Sequence, residues 1–163
     1  MFATLKHISS FKKVHYYSVV LEGSDKSLFE TFIDTFLDNE AAEDVRVILY
    51  WLKEIGNNRG AKSRYFRHEG SAVALPPSAK IIGTEGSALR LYCTVINENH
   101  VVLFSGGIKT HRYAQNCPNV KFHFELAQKL SKTITDNIVQ KMIIIPENQS
   151  EILIVQDLEL IIK

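Results

Sequence analysis

Apolar and polar positions along this chain follow two rhythms. "VHYYSVVL" (14–21) is dense in β-branched and aromatic residues and predicts a strand, ended by Gly23 and Ser24. In "SDKSLFETFIDTFLDNE" (24–40) the period lengthens: Leu28, Phe29, Phe32, Ile33, Phe36 and Leu37 recur at helical spacing on one face. Ser24 can cap this helix, and Ser27 begins an S-x-x-E box with Glu30. "AAEDVRVILYWLKEIGNN" (41–58) predicts a second helix with Val45, Ile48, Leu49, Leu52 and Ile55 on its face, stopped by Gly56 and two asparagines. The short join at Asn39–Ala41 predicts that the two helices pack as an antiparallel hairpin.

In "RGAKSRYFRHEGSAVALPPSAK" (59–80), Arg59, Lys62, Arg64, Arg67 and His68 are interleaved with Tyr65 and Phe66, and Glu69 is the first acid. Pro76, Pro77 and small residues predict that the rest is a loop. "ALRLYCTVI" (88–96) and "HVVLF" (100–104) predict a hairpin closed at "NENH". The two-residue period puts Leu89, Leu91, Cys93 and Val95 on one face and Arg90, Tyr92 and Thr94 on the other. Gly106 and Gly107 predict a turn from which Lys109, His111 and Arg112 project. "VKFHFELAQKLSKTITDNIV" (120–139) predicts a helix with outward lysines, and "KMIIIP" (141–146) and "EILIVQDLELIIK" (151–163) one or two closing strands. The order β-α-α-loop-β-β-α-β-β predicts an α+β fold with an antiparallel sheet.

A chain of 163 residues predicts a single domain. Its net charge of +1 hides a pattern. Residues 1–58 hold 6 Lys+Arg against 9 Asp+Glu, residues 59–132 hold 11 against 4, and residues 133–163 hold 2 against 5. A basic centre between acidic flanks suits a localised polyanion site, although folding can also disperse such a run. Two cysteines, Cys93 and Cys117, form no disulfide framework or metal-ligand pair, and a reducing cytoplasm is the expected setting. No apolar run suggests a signal peptide or approaches the roughly 20 residues of a membrane span.

Several chemistries have no signature. There is no phosphate-binding G-x-x-x-x-G-K-[ST], no dinucleotide-binding G-x-G-x-x-G after a strand and no H-E-x-x-H. The six histidines show no metal-ligand spacing, and His123 reads as a packed side chain within a helix. The basic residues on the sheet face and its adjoining turns suit phosphate. Arginine offers a planar fork and lysine a mobile point charge. RNA cleavage by the internal 2′-hydroxyl requires a base, cations around the phosphorane and an acid at the leaving oxygen, but no metal.

"RLYC" (90–93), "VVLFSGGIKT" (101–110) and "CP" (117–118), preceded by "SRYFRHEG" (63–70) and followed by a helix, resemble the RelE/ParE toxin superfamily, closest to its HigB-like, phage-derived branch. The resemblance spans roughly residues 14–135, leaving a C-terminal extension from about 136 to 163 on a single domain. It implies two N-terminal helices on one face of an antiparallel sheet and a further helix after the central hairpin. It implies a cytoplasmic toxin of a toxin–antitoxin pair that cleaves messenger RNA at the ribosome without a cofactor. Its partners would be RNA and an antitoxin encoded by a neighbouring gene. Arg90 and Lys109 would meet the phosphate on a concave sheet face. By proximity in sequence, His111 would be an acid/base candidate and Arg112 a second cation. Arg64 and Arg67 would guide the backbone, and Tyr92 would stack on a base or carry a proton. Three other readings stay open: a non-catalytic binding protein on the same fold, a gyrase-directed toxin of the ParE kind, and an accessory protein of a mobile element. Arg90 can also pair with a neighbouring strand's acid, Tyr92 can be a packed aromatic, and Lys109 can be a solvated turn residue.

Overall fold

The computed structural model describes residues 1–83, 88–110, 113–155 and 159–163. Within them the fold is α+β, with a mostly antiparallel sheet and four α-helices. The elements run β1 (Phe2–Ser10), β2 (His15–Leu21), α1 (Leu28–Leu37), α2 (Ala42–Glu54), β3 (Arg67–Glu69), β4 (Ala72–Leu75), α3 (Ala79–Ile82), β5 (Leu89–Asn97), β6 (His100–Ile108), α4 (Pro118–Val139), β7 (Ile143–Ile144), β8 (Ile154–Val155) and β9 (Leu160–Ile161). The main sheet has the order β3-β4-β5-β6-β2-β1-β9. β2 and β6 are parallel, and the other pairs are antiparallel.

Two apolar layers sandwich this sheet. On one side α1 and α2 bring Phe32, Val45, Ile48 and Leu52 against Tyr16, Leu89, Leu91, Cys93 and Leu103. On the other, α4 brings Leu126, Ala127, Leu130 and Ile134 against Tyr17, Val19, Tyr92, Val102 and Phe104. β6 lies between β5 and β2 and is covered on both faces. This accounts for its unbroken apolar run "HVVLF".

The capping box opens α1. Ser27 Oγ accepts from Glu30 N at 3.1 Å, and Glu30 Oε1 accepts from Ser27 N at 3.4 Å. Three strands, β1, β3 and β4, lie where the sequence pattern predicts none. β1 spaces Phe2, Leu5 and Ile8 three apart, which hides a strand. Leu5 packs on the α4 side and Ile8 on the α1–α2 side, as residues three apart on a strand must, so these larger apolar residues do not line one face. β3 falls within the basic segment, and the stretch after it, predicted as a loop, forms β4 and α3 instead.

The Gly106–Gly107 turn is also corrected, because both glycines lie inside β6. They pair with Leu91 and Arg90 of β5. A Cβ on Gly106 would stand 1.7 Å from the Arg90 carbonyl oxygen. One on Gly107 would stand 2.5 Å from the Asn119 carbonyl oxygen, where α4 begins. These glycines serve close backbone approach rather than a bend.

Candidate nucleic-acid interface

The sheet gathers five chemically active side chains at one corner. β3 carries Arg67 and Glu69, two residues apart and so on one face. Arg67 pairs with Ala74, and Ala74 pairs with Tyr92 of β5, so the three form a row across the sheet. Arg90 stands one pleat along β5 from Tyr92, and Lys109 follows the end of β6.

Lys109 is not a solvated turn residue. Its Nζ lies 2.5 Å from Glu69 Oε1, and the two side chains are only 13% and 14% exposed. Its backbone N–H donates to the Ala88 carbonyl at 2.7 Å, extending the β5–β6 ladder by one rung. Arg90 is half-buried, and one of its nitrogens donates to the Leu89 carbonyl at 3.1 Å. Burial, then the nearby Arg67 charge, pulls the Arg90 pKa below the usual arginine range, while Glu69 and Tyr92 oppose that shift. Arg67 is braced by its own loop, donating to the Pro76 carbonyl at 3.0 Å and the Pro77 carbonyl at 3.3 Å.

Tyr92 is a packed aromatic, the alternative reading of this position. It is fully buried under α4, edge-on to Phe124 with ring centroids 5.9 Å apart. Burial, followed by the adjacent Glu69 carboxylate, pushes its phenol pKa up, so it keeps its proton. It cannot stack on a base in this arrangement. The face holding Arg90 and Tyr92 is therefore not an open concave surface, because α4 covers it around Tyr92, while the corner stays accessible. There, a cavity of about 350 Å³ is lined by His68, Glu69, Lys109, Tyr113, Gln115 and Phe124.

Arg64 belongs elsewhere. Its guanidinium lies 5.0 Å from the Tyr65 ring and donates to the Tyr65 hydroxyl at 3.0 Å. Arg59 donates to the same hydroxyl at 3.1 Å, and these cations hold the Tyr65 pKa below its usual value. Tyr65 stacks on Trp51 of α2, so this cluster sits on the α1–α2 side of the sheet. Arg64 and Arg67 therefore do not form one track. His111 and Arg112 lie outside the described residues.

Glu69 is the functional candidate the sequence reading missed. The available signal was its position two residues after Arg67, in a run of strand length. At the other side of the corner, Cys117 caps α4 and its Sγ accepts from Thr110 N at 3.1 Å. His123 of α4 lies with Nδ1 2.8 Å from Ser105 Oγ, and burial lowers its pKa. Among the described residues, no three His, Cys, Asp or Glu side chains are placed to ligate a metal ion, and no helix is long and apolar enough to cross a membrane. Comparison with protein-family models, curated proteins and solved structures finds no match to this chain.

Proposed function

We propose that this protein is the toxin component of a toxin–antitoxin pair and cleaves messenger RNA at the ribosome, in the cytoplasm, from the Glu69–Lys109 corner. The observation that carries this reading is the Lys109–Glu69 pair at the edge of a cavity, with Arg90 near enough to feel the charges of both Glu69 and Arg67. Arg90 and Lys109 are also the positions that the RelE/ParE resemblance assigns to phosphate.

The chemistry follows from that pairing. An RNA phosphate entering the corner competes with Glu69 for Lys109. As Lys109 turns to the phosphate, Glu69 is released to accept the 2′-hydroxyl proton. The 2′-oxygen attacks phosphorus, Arg90 and Lys109 offset the charge on the phosphorane, and the bond to the 5′-oxygen breaks. The leaving oxygen takes a proton from an acid, for which His111 is the candidate. Tyr92 has no place in the proton path.

The test is cleavage of ribosome-bound messenger RNA, together with growth arrest on induction, by wild type, Glu69→Gln and Arg90→Ala. Both variants should lose on the order of 10²-fold in rate. Cleavage by the variants at the wild-type rate, or none by wild type, would sink the reading. A co-expressed neighbouring protein should copurify, with acids set against Arg67 or Lys109.

A second reading is a non-catalytic binding protein on the same fold. The burial of Tyr92 and the existing neutralisation of Lys109 favour it. Its signature is RNA retention that weakens steeply with salt, through counterion release, without strand scission.

A further inference from the structure

The sheet has a gap beside the corner. β4 runs alongside β5 only as far as Val73↔Cys93, so Thr94 to Asn97 continue without β4 next to them. A cavity of about 500 Å³ occupies this place. That volume falls in the range of about 300–1,000 Å³ typical of small-molecule sites. Phe66, Val73, Val95 and Ile96 supply apolar walls.

Two polar groups on its wall are unsatisfied. Thr94 Oγ1 and Asn97 Nδ2 are buried and have no hydrogen-bond partner among the described residues. Three positions apart on a regular strand, they would point to opposite faces. The register shift between Val95 and Asn97 cancels that. Thr94 pairs with Val102 and Asn97 with His100, and Val102 and His100 share a face of β6. The bulge thus places both side chains on the α4 face. The orientation of Asn97 is fixed as well. Its Oδ1 accepts from Asn99 N at 2.8 Å, which leaves the buried Nδ2 without a partner among the described residues.

We propose that this cavity binds an RNA base bearing a ring carbonyl, with Asn97 Nδ2 donating to the carbonyl and Thr94 Oγ1 meeting the adjacent ring nitrogen. The inference rests on the RNA reading above and names a subsite for it. A base has apolar faces for the walls and Phe66, and a polar edge for the two unsatisfied groups. Lys62 stands exposed at the rim, where a phosphate would emerge. His68 lines both this cavity and the corner, so a strand seated in one reaches the other. Adenine has no ring carbonyl for Asn97 Nδ2 and is disfavoured.

The experiment titrates the full chain with uridine, guanosine and adenosine 5′-monophosphates by calorimetry. Uridine and guanosine monophosphates should bind, and adenosine monophosphate should bind at least about tenfold more weakly. Thr94→Val and Asn97→Asp should each weaken uridine monophosphate about tenfold. Thr94→Val keeps the side chain's shape and should raise Tm without ligand, because it removes an unsatisfied buried hydroxyl. No binding by wild type, equal binding of adenosine monophosphate, or unchanged binding in Thr94→Val would overturn the proposal. Nucleotide binding with no RNA cleavage would refute the nuclease reading alone. Cleavage without nucleotide binding would refute the base cavity alone.

Discussion

Lys109 Nζ stands 2.5 Å from Glu69 Oε1, joining the end of β6 to edge strand β3 across 40 residues of sequence. With both side chains mostly buried, removing one partner strands the other charge. Lys109→Met should cost about 3 kcal/mol. The double variant Lys109→Met/Glu69→Gln should recover most of that loss, because no charge is left behind. Urea denaturation of the three proteins measures the coupling, and a double variant no more stable than the single would exclude a structural role for the pair.

Tyr92→Phe separates packing from chemistry. The ring against Phe124 is kept and only the buried hydroxyl is lost. Stability should shift by about 1 kcal/mol or less. RNA cleavage, where measured for Glu69→Gln, should stay within about threefold of wild type in Tyr92→Phe, since a phenol with a raised pKa beneath α4 exchanges no proton with substrate. A large loss in Tyr92→Phe would restore it as a proton carrier.

Gly106→Ala should be among the most damaging small substitutions in the chain. Its Cβ would fall 1.7 Å from a backbone oxygen of the neighbouring strand, which no side-chain rotation relieves. A loss above about 3 kcal/mol, or failure to fold, is expected. Gly23→Ala serves as the control. Gly23 has φ +79° and open space around it, so only backbone strain of about 1 kcal/mol applies. Comparable melting temperatures for the two would contradict the register of β5 with β6.

Acid should destabilise the fold through His100. Its Nε2 donates to the Glu151 carbonyl at 2.6 Å and its ring stacks on His15, yet burial holds its pKa below the ordinary histidine value. As pH falls through about 6.5, the unfolded chain takes up the proton first. Stability is therefore full above that pH and falls from there toward the depressed folded value. His123, lowered by burial as well, adds to the same limb. His100→Gln should flatten the fall in Tm between about pH 7 and 5. An unchanged pH profile would remove His100 from this account.

Much of the fold was legible because its signals were local. The Ser27–Glu30 box, the apolar faces of α1 and α2, and the alternation of β5 each need only one element to be read. β1 was not legible, because Leu5 and Ile8 fall on opposite faces and only pairing with β2 makes it a strand. The site divides in the same way. Arg90 and Tyr92 share a face, as their spacing requires. What lies above that face depends on where α4 docks, and no spacing within β5 carries that. Gly106 and Gly107 show the limit most clearly: the same pair suits a turn or a close strand crossing, and only the neighbouring backbone decides.

The parallel pairing of β2 with β6 has a consequence for how the chain is made. β2 takes β1 on one side at once, but its other neighbour is absent until His100 to Leu103 have left the ribosome. Through that interval the growing chain presents Tyr16 to Ser18 as an open strand edge, the kind that recruits other chains. α1 and α2 emerge next and can shield one face of that strand early, but they cannot satisfy its edge. A product truncated before β6 would therefore hold an N-terminal hairpin with a sticky flank, and its fate would be aggregation or a chaperone rather than a smaller stable domain.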